Sequence, residues 1–184
     1  GNGTGGYLWR MFTDFDANAA AKAAFNRALD SWVGCSGTKI NWTIGPVTSI
    51  DAIAQDNINV VRFDNGSELP AGILGQCTSW YLGCFAPPTL NWYVVELDLV
   101  FDDGATWNYS TAAPGGSEYD FESIAVHELG HAHQLAHVIS PGALMHYVLV
   151  SGDQIREIGS NDLAAANNVM QRSTTTTVCS QPSM

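Results

Sequence analysis

The 184-residue sequence is 46% hydrophobic and 14% charged and carries six Trp, six Tyr and seven Phe, which is material for one buried core and excludes a disordered chain. Eighteen acidic against seven basic residues leave a formal net charge of −11, a field that repels nucleic acid and anionic membrane surfaces alike. No run reaches the roughly 18 to 20 apolar residues of a spanning helix, so a soluble chain with neither nucleic acid nor membrane as partner is expected.

The first predicted element is a strand over residues 7–13, YLWRMFT. From about Asp16 to Val33, the positions Ala17, Ala20, Ala24, Phe25, Ala28, Leu29 and Trp32 recur at helical spacing and predict one long amphipathic helix. KINWTIG (39–45) and NINVVRFD (57–64) are short, β-branched and bounded by turn formers, so both read as strands. Two more strands are expected over GILGQCTSWY (72–81) and VVELDLVFDD (94–103), with the turn-rich LGCFAPPTLN between them. A Gly-rich loop around residues 114–117 leads into a second helix through Phe121, Ile124, Ala125 and Leu129, with Ser117 as its candidate N-cap. SPGALMHY (140–147) reads as a tight turn, and NDLAAANNVMQ (161–171) as a closing helix with Leu163, Ala166 and Val169 or Met170 on one face. Five strands against helices make an α+β or α/β layer fold.

The chain opens on a loop-like GNGTGGYLWR and reads as a mature or trimmed product. Four cysteines, none in a Cys-x-x-Cys pair, fit two disulfides and favour a secreted, extracellular protein. Of the three connectivities, Cys77 with Cys84 is preferred because Tyr81-Leu82-Gly83 between them can turn back, which leaves Cys35 to tie down the tail through Cys179.

The chemistry lies in HELGHAHQLAH, from His127 to His137. Residues four apart share a helix face, so His127 and His131 can present two imidazole nitrogens to one ion. His137 follows six residues after His131, so the helix must end soon after His131 to swing the chain back to the same ion. Zinc is the ion expected, because it takes neutral imidazole in a tetrahedral shell and leaves one position open for water in catalytic sites. Glu128 stands beside the first ligand, where a general base for that water belongs.

HELGHAHQLAH followed by ALMHY resembles the signature of the metzincins, a zinc helix with a third His and a Met-containing turn beneath the metal. Within them the chain is most similar to the matrixins, by the short step from His137 to Met145 and by GILGQC and LVFDDGATW upstream. The resemblance implies an α+β zincin fold: a twisted five-stranded mixed sheet with long helices, and an active-site cleft above a small C-terminal subdomain. Residues 1–184 would be a single catalytic domain, the upper subdomain ending at about 137 and the lower one filling 138–184. It further implies that Met145 is the floor under the imidazoles and that Gly72, Ile73, Leu74, Gly75 and Gln76 form an edge strand pairing with substrate. Residues 146–150 would then wall a specificity pocket, and Tyr147 matches a position where astacins and serralysins carry a metal-proximal tyrosine, there to stabilise an oxyanion or merely to pack.

The departures are specific. Gln134 stands where the motif usually has Gly, and a side chain there has to accept a left-handed conformation at a cost of roughly 1 kcal/mol. All five histidines lie at or after position 127, so the second, structural zinc of vertebrate-type matrixins is not expected. Calcium is a candidate second ion through Asp102, Asp103, Glu118, Asp120 and Glu122, although no loop has a calcium spacing and solvated acidic surface is the preferred reading. Two residues from His131, His133 points away from the ligand face and is expected at the surface, and His146 is expected near substrate.

Together these features predict a monomeric, secreted zinc endopeptidase acting on protein or peptide substrates, with Glu128 as general base. The alternatives are a catalytically impaired peptide- or protein-binding relative, for which Gln134 is the hint, and an astacin- or serralysin-like protease, suggested by Met145-His146-Tyr147.

Overall fold

The structure is a computed structural model that describes residues 6–35, 41–86 and 88–173. In chain order the elements are β1 (Gly6–Met11), α1 (Thr13–Ala17), α2 (Ala19–Val33), β2 (Asn41–Ile44), β3 (Asn59–Phe63), β4 (Gly75–Ala86), β5 (Thr89–Phe101), β6 (Trp107–Asn108), β7 (Tyr119–Asp120), α3 (Phe121–Ala132) and α4 (Ser160–Ser173). The main sheet has five strands in the order β2-β1-β3-β5-β4, parallel except for β4, which runs antiparallel along one edge. This mixed sheet packed with helices is the expected α+β architecture.

One sheet face carries Trp9, Met11, Val61, Leu97, Leu99 and Phe101, which join α2 and α3 in a single core. From α2, Ala24, Phe25, Ala28 and Trp32 are fully buried, and Trp32 donates its indole N–H to Val126 O in α3 at 2.9 Å. Small alanines let the two helices approach while the aromatics fill the volume between them, the interdigitation that close packing requires. The opposite face of β5 buries Glu96 and Asp98, whose carboxylates accept backbone N–H groups of Ala54, Asp56, Asn57 and Val60 and so pin the segment leading into β3.

Several local expectations need correction. The single helix over 16–33 is two, because Asn18 leaves helical geometry (φ −80, ψ 88) and its side chain accepts from Ala21 N at 3.1 Å, capping α2. That cap outweighs an unbroken apolar pattern. The turn expected over 82–91 is mostly strand: β4 and β5 pair from Gly75↔Phe101 out to Ala86↔Thr89, with one irregularity between Trp80 and Tyr81. Cross-strand pairs such as Leu82↔Tyr93 and Phe85↔Leu90 favour the ladder over the turn residues. The N-cap of α3 is Asp120 rather than Ser117.

The extended hairpin also removes the preferred Cys77–Cys84 disulfide. Cys77 and Cys84 sit seven residues apart on one strand, roughly 23 Å at a rise of about 3.3 Å per residue, far beyond bridging distance. Cys35 and Cys77 are both thiols outside any disulfide, so neither preferred bridge is made. Cys179 and the tail lie outside the described residues.

Candidate metal centre

The centre is built on α3, whose first turn is held by Asp120. The Asp120 carboxylate accepts the backbone N–H of Ser123 at 3.0 Å and is paired with Arg156 across the start of the helix. Glu122, buried beside it, pairs with Arg27 of α2. In place of the solvated surface expected for them, these two acids are buried and ion-paired, each with an arginine remote in sequence.

The end of α3 is a Schellman turn. Leu135 N–H bonds to Gly130 O at 3.0 Å and Gln134 N–H to His131 O at 2.8 Å, around a left-handed Gln134 with φ 66. This position favours glycine, which is why a side chain there carries the strain anticipated from sequence. The turn stops the helix one residue after the second ligand position and redirects the chain so that His137 comes back beside His127 and His131.

The three rings converge. His137 Nε2 lies 3.1 Å from His127 Nε2 and 2.9 Å from His131 Nε2, and the three form one of two groups among the described residues with metal-holding geometry. The other nitrogens are turned outward: His127 Nδ1 donates to Leu144 O at 2.7 Å and His131 Nδ1 to Leu135 O at 2.8 Å. That fixes the tautomer in which both Nε2 atoms are lone-pair acceptors. Both lone pairs face His137 Nε2, and three convergent imidazole nitrogens are the donor set that a tetrahedral zinc ion takes, so these residues fit zinc. Burial, together with the neighbouring imidazoles, pulls His127 down to about 4 against the opposing bond to Leu144, and burial likewise lowers His131. Both rings are held in the neutral form that ligates metal.

Met145 is fully buried against the backbone of α3 at Gly130, the residue before the second ligand position. Its carbonyl accepts Val138 N–H at 2.8 Å, and Val138 forms a bridge with His146, so the residue after His137 is anchored to the Met-containing turn. Glu128 is buried between the triad and β4. One carboxylate oxygen takes the Cys77 N–H, while Oε2 has no hydrogen-bond partner among the described residues. Burial pushes this carboxyl up to about 8, with the Cys77 bond pulling the other way.

Gly75 makes the approach of Glu128 to the strand feasible. A Cβ there would lie 2.9 Å from Glu128 Cγ and 3.0 Å from Ile124 Cγ2. The edge-strand expectation for Gly75 does not contain this contact; a glycine inside a strand pattern is the sequence signal for such close approach. Of the five residues expected in the edge strand, Gly75 and Gln76 belong to β4, whereas Gly72 is left-handed (φ 83) and precedes it with Ile73 and Leu74. Gly72 to Gly75 line a pocket with His127, His137, Leu144, Tyr147 and Val148. Tyr147 is exposed on its rim with its ring 4.6 Å from that of His146.

His133 also departs from expectation. It is buried, not at the surface, with Nε2 3.0 Å from Ala166 O and its ring between Trp32 and Trp42. Facing away from the ligands here means facing the core, where His133 ties the end of α3 to α4. Asp64, Asp102 and Asp103 form the second group, their oxygens within 4.8 Å of one another. Their carboxylates already accept backbone N–H groups of Leu69, Asp103, Gly104 and Gly66.

Residues 9–170 match the family model described as Matrixin. No match is found among curated proteins.

Proposed function

The chain belongs to the matrixin family of zinc metalloendopeptidases, and we propose that it is a working member, cleaving internal peptide bonds of extended protein segments with Glu128 as general base. The observation that carries this reading is Glu128 Oε2, buried and without a hydrogen-bond partner among the described residues, beside three convergent imidazole nitrogens. An unsatisfied buried acceptor costs on the order of 1–3 kcal/mol, and such a cost persists where the atom has a reaction to serve.

His127, His131 and His137 would hold the zinc, which supplies polarisation of the scissile carbonyl and lowers the pKa of water to about 7. Glu128 takes the proton of the attacking water on Oε2 and delivers it to the departing amine nitrogen. The Cys77 N–H holds the other carboxylate oxygen, so the base stays oriented through both transfers. Among the described residues β4 is an edge strand of the sheet, and its outer side offers main-chain groups to an extended peptide. The pocket between Leu144, Val148 and Ile124 suits an apolar side chain, with Tyr147 on the rim to meet substrate.

The test is hydrolysis of a quenched fluorescent peptide library by the zinc-loaded protein, with a Glu128→Ala variant and a chelated sample alongside. Cleavage by the intact protein, abolished in both controls while the Glu128→Ala variant still binds one zinc, is the expected result. Intact, zinc-bound protein that cleaves nothing would overturn the reading in favour of a binding protein.

A further inference from the structure

A non-glycine residue is held in the left-handed region where the rest of the structure over-determines it, and such residues concentrate at functional positions. At Gln134 the side chain supplies the reason. Its Oε1 accepts from Tyr81 Oη at 2.6 Å and its Nε2 donates to Ser79 Oγ at 3.3 Å, which ties the turn after α3 to the outer part of β4. The same Nε2 approaches Ala132 O at 3.3 Å and His131 O at 3.5 Å. Glycine would close the turn equally well and make none of these bonds.

Gln134, Cys77, Ser79 and Tyr81 line a pocket that also reaches His131 and Glu128. Gly75 and Glu128 border both this pocket and the apolar one; from Gly75 the apolar pocket runs back to Gly72, and this one runs forward along β4 to Tyr81. Apart from Glu128, His131 and a short apolar patch of Leu135 and Ala136, the side chains lining it are hydroxyl, amide and thiol and carry no formal charge. An ionic side chain entering there would find no counter-charge, and an apolar one would strip water from the wall without replacing its hydrogen bonds. A neutral side chain with both donor and acceptor satisfies the wall.

We infer that Gln134 is a specificity-determining residue: clamped by Tyr81 and Ser79, it forms a polar subsite beside the metal centre for an Asn, Gln, Ser or Thr side chain of a peptide extended along β4. The inference rests on the reading of β4 as a peptide-binding edge, and its test is made independent of turnover.

Zinc-loaded Glu128→Gln protein is equilibrated with a position-randomised peptide library, and the bound peptides are sequenced; the same is done with Gln134→Gly and Tyr81→Phe placed in that background. Expected is an enrichment of about tenfold for Asn, Gln, Ser or Thr over Leu or Lys at one position, the equivalent of one net hydrogen bond, lost in both added variants. Gln134→Gly should melt at or above its parent, since glycine relieves the left-handed backbone. Tyr81→Phe removes only a hydroxyl from an exposed ring and carries the test if the loop variant misfolds. Equal enrichment in all three proteins, apolar or charged preference at that position, or no peptide enrichment at all would each overturn the subsite. Polar enrichment in a protein whose Glu128-intact form cleaves nothing would overturn the peptidase reading and leave the subsite standing.

Discussion

Gly130 and Met145 are packed backbone to sulfur: a Cβ on Gly130 would fall inside the van der Waals shell of Met145 Sδ, 3.1 Å from its Cε and 3.3 Å from Trp32 Cζ2. Glycine inside a helix forgoes about 1 kcal/mol relative to alanine, so the contact is kept against local propensity. It sits between the two helical ligands, and the Met-containing turn holds both His127, through Leu144 O, and the chain after His137, through Met145 O. Gly130→Ala should therefore lose stability, by about 1–2 kcal/mol after the helical gain, or about 2–8 °C in Tm. Zinc affinity should fall about tenfold, as for disturbed supports of metal ligands. Calorimetry and chelator competition measure the two effects. A variant that melts higher and binds zinc unchanged would show the contact to be slack.

Gly75 stands to Glu128 as Gly130 stands to Met145. In Gly75→Ala the new methyl displaces the Glu128 side chain, which approaches a Cβ built there to 2.9 Å at Cγ and 3.1 Å at Oε1. Displacement of a base by about 1 Å costs on the order of 10²-fold in rate. The expected outcome is a kcat/KM lowered by about that factor with a full complement of zinc. Peptide hydrolysis normalised to bound metal measures it; undiminished turnover would mean that Glu128 is not the base or that its position is forgiving.

What was legible in the sequence was local. A helix carrying ligands at i and i+4 with a third six residues on constrains its own geometry, so the convergence of His127, His131 and His137 and the left-handed turn at Gln134 could be foreseen from about a dozen residues. The order of β1 to β5 and of α2, α3 and α4 followed from period and turn composition, whereas α1, β6 and β7 did not. Features set by partners remote in the chain were not legible. His133 takes its place from Trp32, Trp42 and Ala166, Asp120 from an arginine 36 residues away, and the hairpin of β4 and β5 from a ladder that absorbs residues with turn character. The Cys77–Cys84 pairing fails for the same reason, because the β4–β5 ladder continues through Tyr81, Leu82 and Gly83 where the pairing needs a turn.

The Asp120–Arg156 pair tests how far the start of α3 depends on the segment following the Met-containing turn. Asp120 is fully buried and bonds both to Arg156 and to the first turn of α3. Arg156→Ala would leave the carboxylate buried without its counter-charge, at a cost of about 3–5 kcal/mol. Arg156→Met combined with Asp120→Asn should cost less than Arg156→Ala alone, because the amide still accepts from Ser123 N–H and no charge is stranded. Denaturant unfolding of the three proteins decides. Equal losses in the single and double variants would mean that the charge itself contributes nothing.

Asp98 gives the molecule a pH dependence opposite in sign to that of most paired acids. Its carboxylate is fully buried on β5, and burial, reinforced by neighbouring Glu96 and Asp56, raises it to about 7 in spite of bonds from Val60 N–H and Ala54 N–H. The folded protein therefore holds this proton more tightly than the unfolded chain, where aspartate titrates near 3.9. The contribution of a neutral Asp98 is fully present below about pH 4 and is lost as pH rises towards and through 7, with a limiting slope of about 1.4 kcal/mol per pH unit. Asp98→Asn keeps an acceptor for Val60 N–H, loses one for Ala54 N–H, and carries no charge. The variant should be the less stable protein at pH 5 and should gain on the wild type as pH rises to 8, the difference levelling off above that. Urea unfolding at several pH values isolates this term because the other titrating groups are common to both chains. A stability difference that stays constant from pH 5 to 8 would show that Asp98 is ionised throughout and that its two backbone donors outweigh the cost of its burial.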